Sequence, residues 1–203
     1  MNGNYAVDLG LPSGTQWAEK NVGADVAYGP GDSFAWGETS GKDNYTRENY
    51  KYLKIIQEDA YEDEVVKCSK YNSIAKNGNV DNYVQLLSED DAATVNMGNH
   101  WKTPTKEQWE ELKKKCSWII GNCNGVYVAY VTGPNGNQII LPLTRENHNE
   151  GKTNILDFYM TSDQYNPETC SDKFYCPFHY LFTTLSLPFH SPPFTPLSLH
   201  LTT

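Results

Sequence analysis

The clearest pattern of hydrophobic and polar positions consists of two runs rich in β-branched residues. Residues 126–131 read Val-Tyr-Val-Ala-Tyr-Val and residues 138–143 read Gln-Ile-Ile-Leu-Pro-Leu, with Thr-Gly-Pro-Asn-Gly-Asn between them. Asn135 and Gly136 both tolerate positive φ, so this pair favours a tight turn between strands. The pattern therefore predicts a β-hairpin.

Before the hairpin, two capping patterns predict short helices. Ser88 stands three positions before Asp91, and Thr105 stands three positions before Gln108. Each hydroxyl is placed to accept a hydrogen bond from a free N–H at a helix start, and the second pair has the residues of a full capping box. We expect one helix to begin near residue 88 and another near residue 105.

The second predicted helix has one apolar side. Trp109, Leu112 and Cys116 recur at spacings of three and four, whereas Lys and Glu occupy most of the other positions from residue 106 to 115. One apolar stripe on a charged helix indicates that the helix lies on a surface and buries one edge.

Elsewhere the apolar runs are short. Those at residues 7–9, 16–18 and 34–36 are separated by Gly and Pro, which predicts brief strands and turns. Residues 154–161 form a further plausible strand. Residues 43–82 are polar and rich in Tyr, with an acidic run, which predicts a long surface excursion.

Length and charge narrow the function classes. A chain of 203 residues suffices for one sizeable domain. The net charge of −9, with Lys and Arg interleaved among Asp and Glu, argues against nucleic acid as a partner. No apolar stretch reaches the ~20 residues that a membrane helix needs, so we expect no membrane-spanning segment. Residues 1–11 lack a basic start and an apolar run, so we expect no signal peptide in this chain.

The cysteines leave their pairing open. There are five, and none form a Cys-x-x-Cys pair, which argues against a zinc ribbon or a thioredoxin-like site: Cys68, Cys116, Cys123, Cys170 and Cys176. Cys116 with Cys123, or Cys170 with Cys176, would close a small loop in an oxidising compartment. Isolated buried thiols are the alternative.

Three blocks in the first two thirds of the chain resemble a known family. Residues 101–112 read Trp-Lys-Thr-Pro-Thr-Lys-Glu-Gln-Trp-Glu-Glu-Leu, and residues 7–18 read Val-Asp-Leu-Gly-Leu-Pro-Ser-Gly-Thr-Gln-Trp-Ala, with Asn-Val-Gly-Ala at 21–24. Residues 31–39 read Gly-Asp-Ser-Phe-Ala-Trp-Gly-Glu-Thr. These blocks resemble, in order, the Trp-Arg-x-Pro-Thr-x-x-Glu-Trp/Phe-x-x-Leu signature, the opening and the second block of the Fibrobacter succinogenes major paralogous domain. Tyr-Met-Thr-Ser at 159–162 stands where that family has Tyr-Trp-Ser/Thr-Ser.

The resemblance implies an α+β domain of C-type-lectin-like type, with two short helices and short antiparallel strands. It also implies an extracellular or surface-attached bacterial protein, distantly similar to the formylglycine-generating enzymes. No known reaction comes with it. We therefore expect a non-catalytic binding module for a surface polysaccharide or protein ligand. The alternatives are a formylglycine-generating-enzyme-like oxidase, which needs a late pair of active-site cysteines, and the scaffold of a retroelement-diversified variable protein.

The end of the chain departs from the family. Residues 177–203 contain no Asp, Glu, Lys or Arg, and Ser, Pro, Leu and Phe supply 18 of these 27 positions. This bias resembles a pyrimidine-rich stretch translated out of frame, and its prolines oppose helix and central strand. We expect a domain at residues 1–165 that lacks the family's closing strands. An atypical tail follows at 166–203, uncharged from residue 177.

Few residues offer catalytic chemistry. Three of the five histidines lie in the tail, and His100 adjoins Trp101 in the connection between the helices, a position typical of a turn residue. His148 would be a metal ligand only if Glu146 and Glu150 turned toward it. We expect no catalytic residues, no metal ion and no cofactor.

Carboxylates are plentiful, but their positions have simple structural explanations. The Glu-Asp-Asp run at residues 89–91 is typical of negative charge at a helix start. The Glu-Pro-Asn and Gln-Pro-Asp triplets with which calcium-dependent lectins bind sugars are missing from the chain. A lectin-like fold therefore does not by itself predict a calcium-sugar site.

One group is the best candidate for exposed ligand binding, although the ligand-binding residues stay unknown at this stage. Trp36, Gly37, Glu38 and Thr39 combine an aromatic ring, a flexible glycine and a carboxylate. The stronger expectation is that the large rings fill a core poor in regular structure. That predicted core contains the inward residues of the hairpin and the following side chains: Trp17, Trp36, Trp101, Trp109 and Leu112.

Overall fold

A computed structural model describes residues 4–56, 65–143 and 159–164. Within these ranges the chain forms two helices and seven short strands, which confirms a mixed α+β fold. The helices are α1 (Ala92–Met97) and α2 (Lys106–Lys115). The strands are β1 (Ala6–Asp8), β2 (Gln16–Ala18), β3 (Leu53–Ile56), β4 (Val65–Cys68), β5 (Ser117–Cys123), β6 (Val126–Thr132) and β7 (Gln138–Pro142). All pairing is antiparallel: β1 with β2, β3 with β4, and β5–β6–β7 in one sheet.

The predicted hairpin is confirmed as β6 and β7. Val131 lies opposite Ile139 and Thr132 opposite Gln138, with the turn between them. The sequence analysis missed β5, which follows α2 directly and pairs with β6 over its whole length. Residues 118–120 read Trp-Ile-Ile, and the high strand propensity of these residues could have predicted this strand.

The hairpin turn also packs against the end of β1. The side-chain amides of Asn135 and Asn137 donate to the Asp8 carbonyl at 2.9 and 2.7 Å. At Gly133, a Cβ atom would lie 2.0 Å from the Leu9 carbonyl oxygen. Only glycine fits there, so this close approach holds the β1–β2 pair on the three-stranded sheet.

The predicted helix start at Thr105 is confirmed, whereas the one at Ser88 is wrong. Thr105 Oγ1 accepts from the Gln108 N–H at 3.3 Å, and Gln108 Oε1 accepts from the Thr105 N–H at 2.9 Å, so the capping box of α2 is confirmed. Ser88 does not cap a helix. It begins a short 3₁₀ turn, and α1 is capped by the Asp91 carboxylate instead.

The described side chains form two hydrophobic clusters rather than the single core that was expected. The hairpin cluster consists of Leu9, Leu11, Trp17, Trp109, Leu112, Ala129, Val131, Ile139, Leu141 and Leu143. The tyrosine cluster consists of Ala35, Trp36, Tyr50, Tyr52, Leu53, Cys68 and Tyr71. Trp36 is thus separated from Trp17 and Trp109, and Trp101 belongs to neither cluster.

The tyrosine cluster contradicts the predicted surface excursion at 43–82 for the described part of that segment, whereas residues 57–64, with the acidic run, lie outside the described residues. This segment supplies β3 and β4, and it buries Tyr50, Tyr52 and Tyr71 to 4% exposure or less. Edge-to-face ring pairs account for the packing, with Tyr71 at 4.8 Å from Trp36 and 5.4 Å from Tyr52. Residues 34–36 also differ from the prediction, because they are buried without forming a strand.

Residues 159–164 join the two clusters. The Trp109 indole N–H, from the hairpin cluster, donates to the Met160 carbonyl at 3.2 Å. The Trp36 indole N–H, from the tyrosine cluster, donates to the Thr161 carbonyl at 3.1 Å. Of the strand expected at 154–161, residues 154–158 lie outside the described residues, and the remainder is not a strand.

The cysteines pair differently from the loops that were considered. Cys116 and Cys123 are free thiols, so they do not close the small loop. Cys68 is disulfide-bonded, and its partner lies outside the described residues. The alternative Cys170 to Cys176 loop and the tail lie outside them too. Neither described helix has the length and apolar character needed to cross a membrane.

Candidate functional site

A cleft of about 690 Å³ is lined by aromatic rings from separate parts of the chain. Trp17 from β2 and Trp109 from α2 meet edge to face at 4.8 Å, and Tyr159 lies 5.2 Å from Trp109. Trp101, from the connection between the helices, also lines the cleft. Concave sites with aromatic walls and a few polar groups are typical of ligand binding.

The backbone around Trp101 is firmly positioned. The Trp101 N–H donates to the Gly98 carbonyl at 2.9 Å, and the Thr94 hydroxyl donates to the Trp101 carbonyl at 2.7 Å. Thr103 is held by Asp91, which accepts its N–H at 2.9 Å and its hydroxyl at 2.8 Å. One buried carboxylate therefore caps α1 and anchors the connection that carries Trp101.

The Trp101 side chain itself is less constrained than its backbone. It is half-buried, and its indole N–H makes no hydrogen bond to any described residue. A ring whose backbone is fixed and whose polar atom is unused is suited to contact a ligand without a large loss of conformational entropy.

Charged side chains also line the cleft. Lys20, Lys102, His100 and Asp32 are among its lining residues. Neither lysine forms an ion pair within the described ranges, whereas other lysines of this chain pair with carboxylates. The cleft therefore carries unpaired positive charge on a chain with a net charge of −9.

A second concavity, of about 460 Å³, has Tyr45 as its only aromatic lining residue, and its lysine and tyrosine are already engaged. The Tyr45 hydroxyl there donates to the Ser33 carbonyl. Lys42 pairs with Glu38 at 2.6 Å. We therefore treat the aromatic cleft as the candidate site.

The structure removes the Trp36 group from the list of exposed binding groups. Trp36 is 1% exposed and Glu38 is 5% exposed. Glu38 accepts from the Lys51 N–H at 2.8 Å as well as pairing with Lys42. The alternative expectation, that the Trp36 ring fills a core, is confirmed.

The histidine candidates divide between the described and the undescribed parts of the chain. His100 is exposed in the connection between the helices, and it lines the cleft beside Trp101. His148, Glu146 and Glu150 lie outside the described residues. In the part of the chain that the structure describes, no group of three or more His, Cys, Asp or Glu residues is arranged to hold a metal ion.

The sequence analysis interpreted Asp90 as a negative charge at a helix start, whereas the structure places it in a buried hydrogen-bond network. It is 2% exposed and accepts from Lys51 Nζ at 3.0 Å, from Lys70 Nζ at 2.5 Å and from the Tyr71 hydroxyl at 2.7 Å. The two ammonium groups also lie over the rings that follow them in sequence, 4.8 Å from the Tyr52 centroid and 5.4 Å from the Tyr71 centroid. The sequence feature that could have indicated this network is the pair of Lys-Tyr dipeptides, at 51–52 and 70–71, that flank an acidic segment.

Electrostatics within this Asp90 network favour the charged form of the carboxylate. Burial alone raises the pKa of Asp90, but the hydrogen bonds from Lys70, Tyr71 and Lys51 outweigh burial and hold the pKa well below its usual range. Burial raises the pKa of the Tyr71 phenol, and the neighbouring Asp90 charge raises it further. The tyrosine therefore stays a hydrogen-bond donor and the aspartate an acceptor.

The Asp90 network has the character of a structural device. Its carboxylate accepts from three donors, and the Tyr71 hydroxyl also accepts from the Leu87 N–H at 3.0 Å. Tyr71 is fully buried, so a ligand would have to displace existing bonds to reach these atoms.

Comparison with known proteins adds no further constraint. No protein-family model matches the chain, and neither a curated protein nor a solved structure matches it. Cys170 and Cys176 occupy the late region in which the oxidase alternative needs its cysteines, but they match no motif of that family, and both lie outside the described residues.

Proposed function

We propose that this chain is a non-catalytic binding module of an extracellular or surface-attached bacterial protein, and that its ligand occupies the aromatic cleft. The observation that carries the proposal is the half-buried Trp101 ring, held by its backbone in a cleft of about 690 Å³. The ligand is a surface polysaccharide or a protein.

The proposal includes a C-type-lectin-like fold resembling the Fibrobacter succinogenes major paralogous domain. Its support is the arrangement of the three resembling blocks. Residues 7–18 include most of β1 and all of β2, residues 31–39 carry Trp36, and residues 101–112 carry Trp101 and the start of α2. The segment at 159–164 bonds to both Trp36 and Trp109, so the blocks contribute to one connected structure.

An oxidising location is supported by the disulfide of Cys68. Disulfides persist in secreted and surface proteins and are rare in reducing compartments. Cys68 is disulfide-bonded and 4% exposed within the tyrosine cluster. A protein that uses this bond in its core is suited to function outside the cytoplasm.

A binding screen tests the function. The purified chain is applied to an array of bacterial and plant polysaccharides and surface glycoproteins, alongside a Trp101→Ala variant. The control is Tyr5→Ala, because Tyr5 is a 66% exposed ring that does not line the cleft. We expect binding to fall about tenfold or more in Trp101→Ala and to persist in the control.

Two results would contradict the proposal. One is binding that Trp101→Ala leaves unchanged, which would remove the cleft as the site. The other is stoichiometric copper binding together with thiol oxidation of a peptide that disappears in Cys170→Ser or Cys176→Ser, which would favour the oxidase alternative.

A further inference from the structure

We propose that the cleft selects an acidic polysaccharide, a chain of sugars that carry carboxylates. In this arrangement a sugar ring lies against Trp101, and Lys20 and Lys102 face carboxylates of the bound chain. This inference rests on the proposed function and names the chemistry of its ligand.

The aromatic rings of the cleft are suited to contact a sugar. A pyranose ring presents a flat face of C–H groups, which matches the face of an aromatic side chain in shape and polarity. Trp101 lines the cleft together with Trp17, Trp109 and Tyr159. Trp17 and Tyr159 each pack against Trp109, whereas Trp101 makes no ring contact with a described residue.

The two lysines of the cleft are suited to bind carboxylates. Lys42, Lys51 and Lys70 have carboxylate partners at 3.0 Å or less, whereas Lys20 and Lys102 have none among the described residues. Lys54 and Lys115 also lack such a partner, but they lie outside the cleft. Asp32 is the carboxylate residue that lines the cleft with them. An anionic ligand would supply the missing partners.

The charge of the rest of the chain determines how such binding should behave. A net charge of −9 repels polyanions in general, so an anionic ligand gains nothing from the overall surface. Binding would therefore depend on the local lysines, and it would be sensitive to their removal. The same reasoning makes it sensitive to salt, because the Debye length falls from about 10 Å at 0.1 M to about 3 Å at 1 M.

The test is calorimetric titration of the whole chain with three polymers. Polygalacturonate carries both sugar rings and carboxylates. Its methyl-esterified form keeps the rings and loses the charge, and poly-L-glutamate keeps the charge and loses the rings. The variants are Lys20→Gln/Lys102→Gln and Trp101→Ala, with Lys54→Gln/Lys115→Gln as a control of equal charge change at exposed positions outside the cleft.

We expect polygalacturonate to bind about tenfold or more tightly than either other polymer at low salt. We expect the loss of this preference in the Lys20→Gln/Lys102→Gln variant and its retention in the control. Thermal midpoints equal to that of the parent chain would show that the cleft variants are folded.

The remaining outcomes overturn the inference in separable ways. Equal binding of the esterified polymer that still depends on Trp101 would refute the acidic ligand and leave the proposed function intact. Equal binding of poly-L-glutamate would replace the sugar by an acidic peptide. Absence of binding to polygalacturonate, or binding that Trp101→Ala does not change, would refute the inference outright, and the array described above then decides the proposed function separately.

Discussion

The Asp90 network and the aromatic cleft use the same kinds of side chain to different ends. In both, lysines accompany aromatic rings: Lys51 and Lys70 lie over tyrosines, and Lys102 follows Trp101 in sequence. In the network the lysines share the buried Asp90 carboxylate. In the cleft the lysines have no partner among the described residues.

This difference separates a stabilising site from a binding site. Polar groups that satisfy one another below the surface resist change, because removing any member leaves the others desolvated and unpaired. Polar groups that stay unpaired beside a concave apolar wall contribute little to folding and are available to a ligand. Composition alone does not distinguish the two, since both contain Lys and aromatic residues. Pairing does.

The largest expected effect is from Asp90→Ala, which we expect to lower the free energy of unfolding by about 3 kcal/mol. The buried Tyr71 hydroxyl loses its acceptor, and the two ammonium groups lose a shared counter-charge. Both lysines retain some exposure and can turn toward water, which keeps the loss below that of a fully enclosed ion pair.

Denaturant unfolding measures this effect, with Asp32→Ala as the matched control from the cleft. Asp32 is exposed and has no side-chain hydrogen bond to a described residue, so its removal should change stability by less than about 0.5 kcal/mol. Equal losses in the two variants would show that Asp90 is not the organising charge.

The same contrast explains how far the sequence could predict the structure. The capping box of α2 and the β6–β7 hairpin depend on residues within a few positions of each other, and both were predicted. The Asp90 network joins positions 39 and 20 residues apart, so no local pattern announces it. Its two Lys-Tyr dipeptides acquire meaning only when β3 and β4 bring them together.

Trp36 and Trp101 show the same limit for the candidate site. Trp36 was considered as an exposed binding group, but the stronger expectation placed both Trp36 and Trp101 in the core; Trp36 is buried, whereas Trp101 is half-buried and belongs to neither hydrophobic cluster. The partner that buries the Trp36 N–H is the Thr161 carbonyl, 125 positions away. Exposure of a large ring is set by such distant contacts, whereas a cap is set by its own turn.

The second prediction uses these two rings to sharpen the comparison. Trp36→Phe should lower the free energy of unfolding by about 2 kcal/mol, because it leaves the Thr161 carbonyl without its donor and a void beside Tyr71. Trp101→Phe should cost less than about 0.5 kcal/mol, since that indole N–H has no partner to lose. Paired thermal denaturation decides this, and a larger loss for Trp101→Phe would place Trp101 in the core.

The third prediction concerns acid. Because the folded-state pKa of Asp90 lies below the unfolded value of about 3.9, the folded state binds fewer protons in this range. The stability that Asp90 provides is therefore complete above about pH 4 and is lost as the pH falls toward the folded-state pKa.

This acid effect should be only part of the Asp90→Ala effect, because the folded-state pKa of Asp90 lies well below its usual range and the folded chain therefore resists protonation at this carboxylate. Urea unfolding between pH 5 and about pH 2 should show the stability gap between the parent chain and Asp90→Asn narrowing toward low pH. A gap independent of pH would mean that the pKa of Asp90 is the same in the folded and unfolded states.

The smallest expected effect compares one lysine from each region. Lys70→Gln removes an ammonium group bonded to Asp90 at 2.5 Å and to Glu89 at 3.0 Å, and we expect a loss of about 1 kcal/mol. Lys51 remains on the carboxylate, which limits the loss. Lys102→Gln should change stability by less than about 0.5 kcal/mol, because its exposed side chain has no ion pair within the described residues.

Ionic strength distinguishes these two variants further. Stabilisation by Lys70 should persist as salt is raised, because its partner carboxylate is 2% exposed and poorly screened. Unfolding curves of Lys70→Gln, Lys102→Gln and the parent chain at about 0.1 M and about 1 M salt measure the two effects together. If Lys102→Gln destabilised the chain as much as Lys70→Gln did, the cleft lysine would have a structural partner, and the distinction between a paired network and an unpaired cleft would fail.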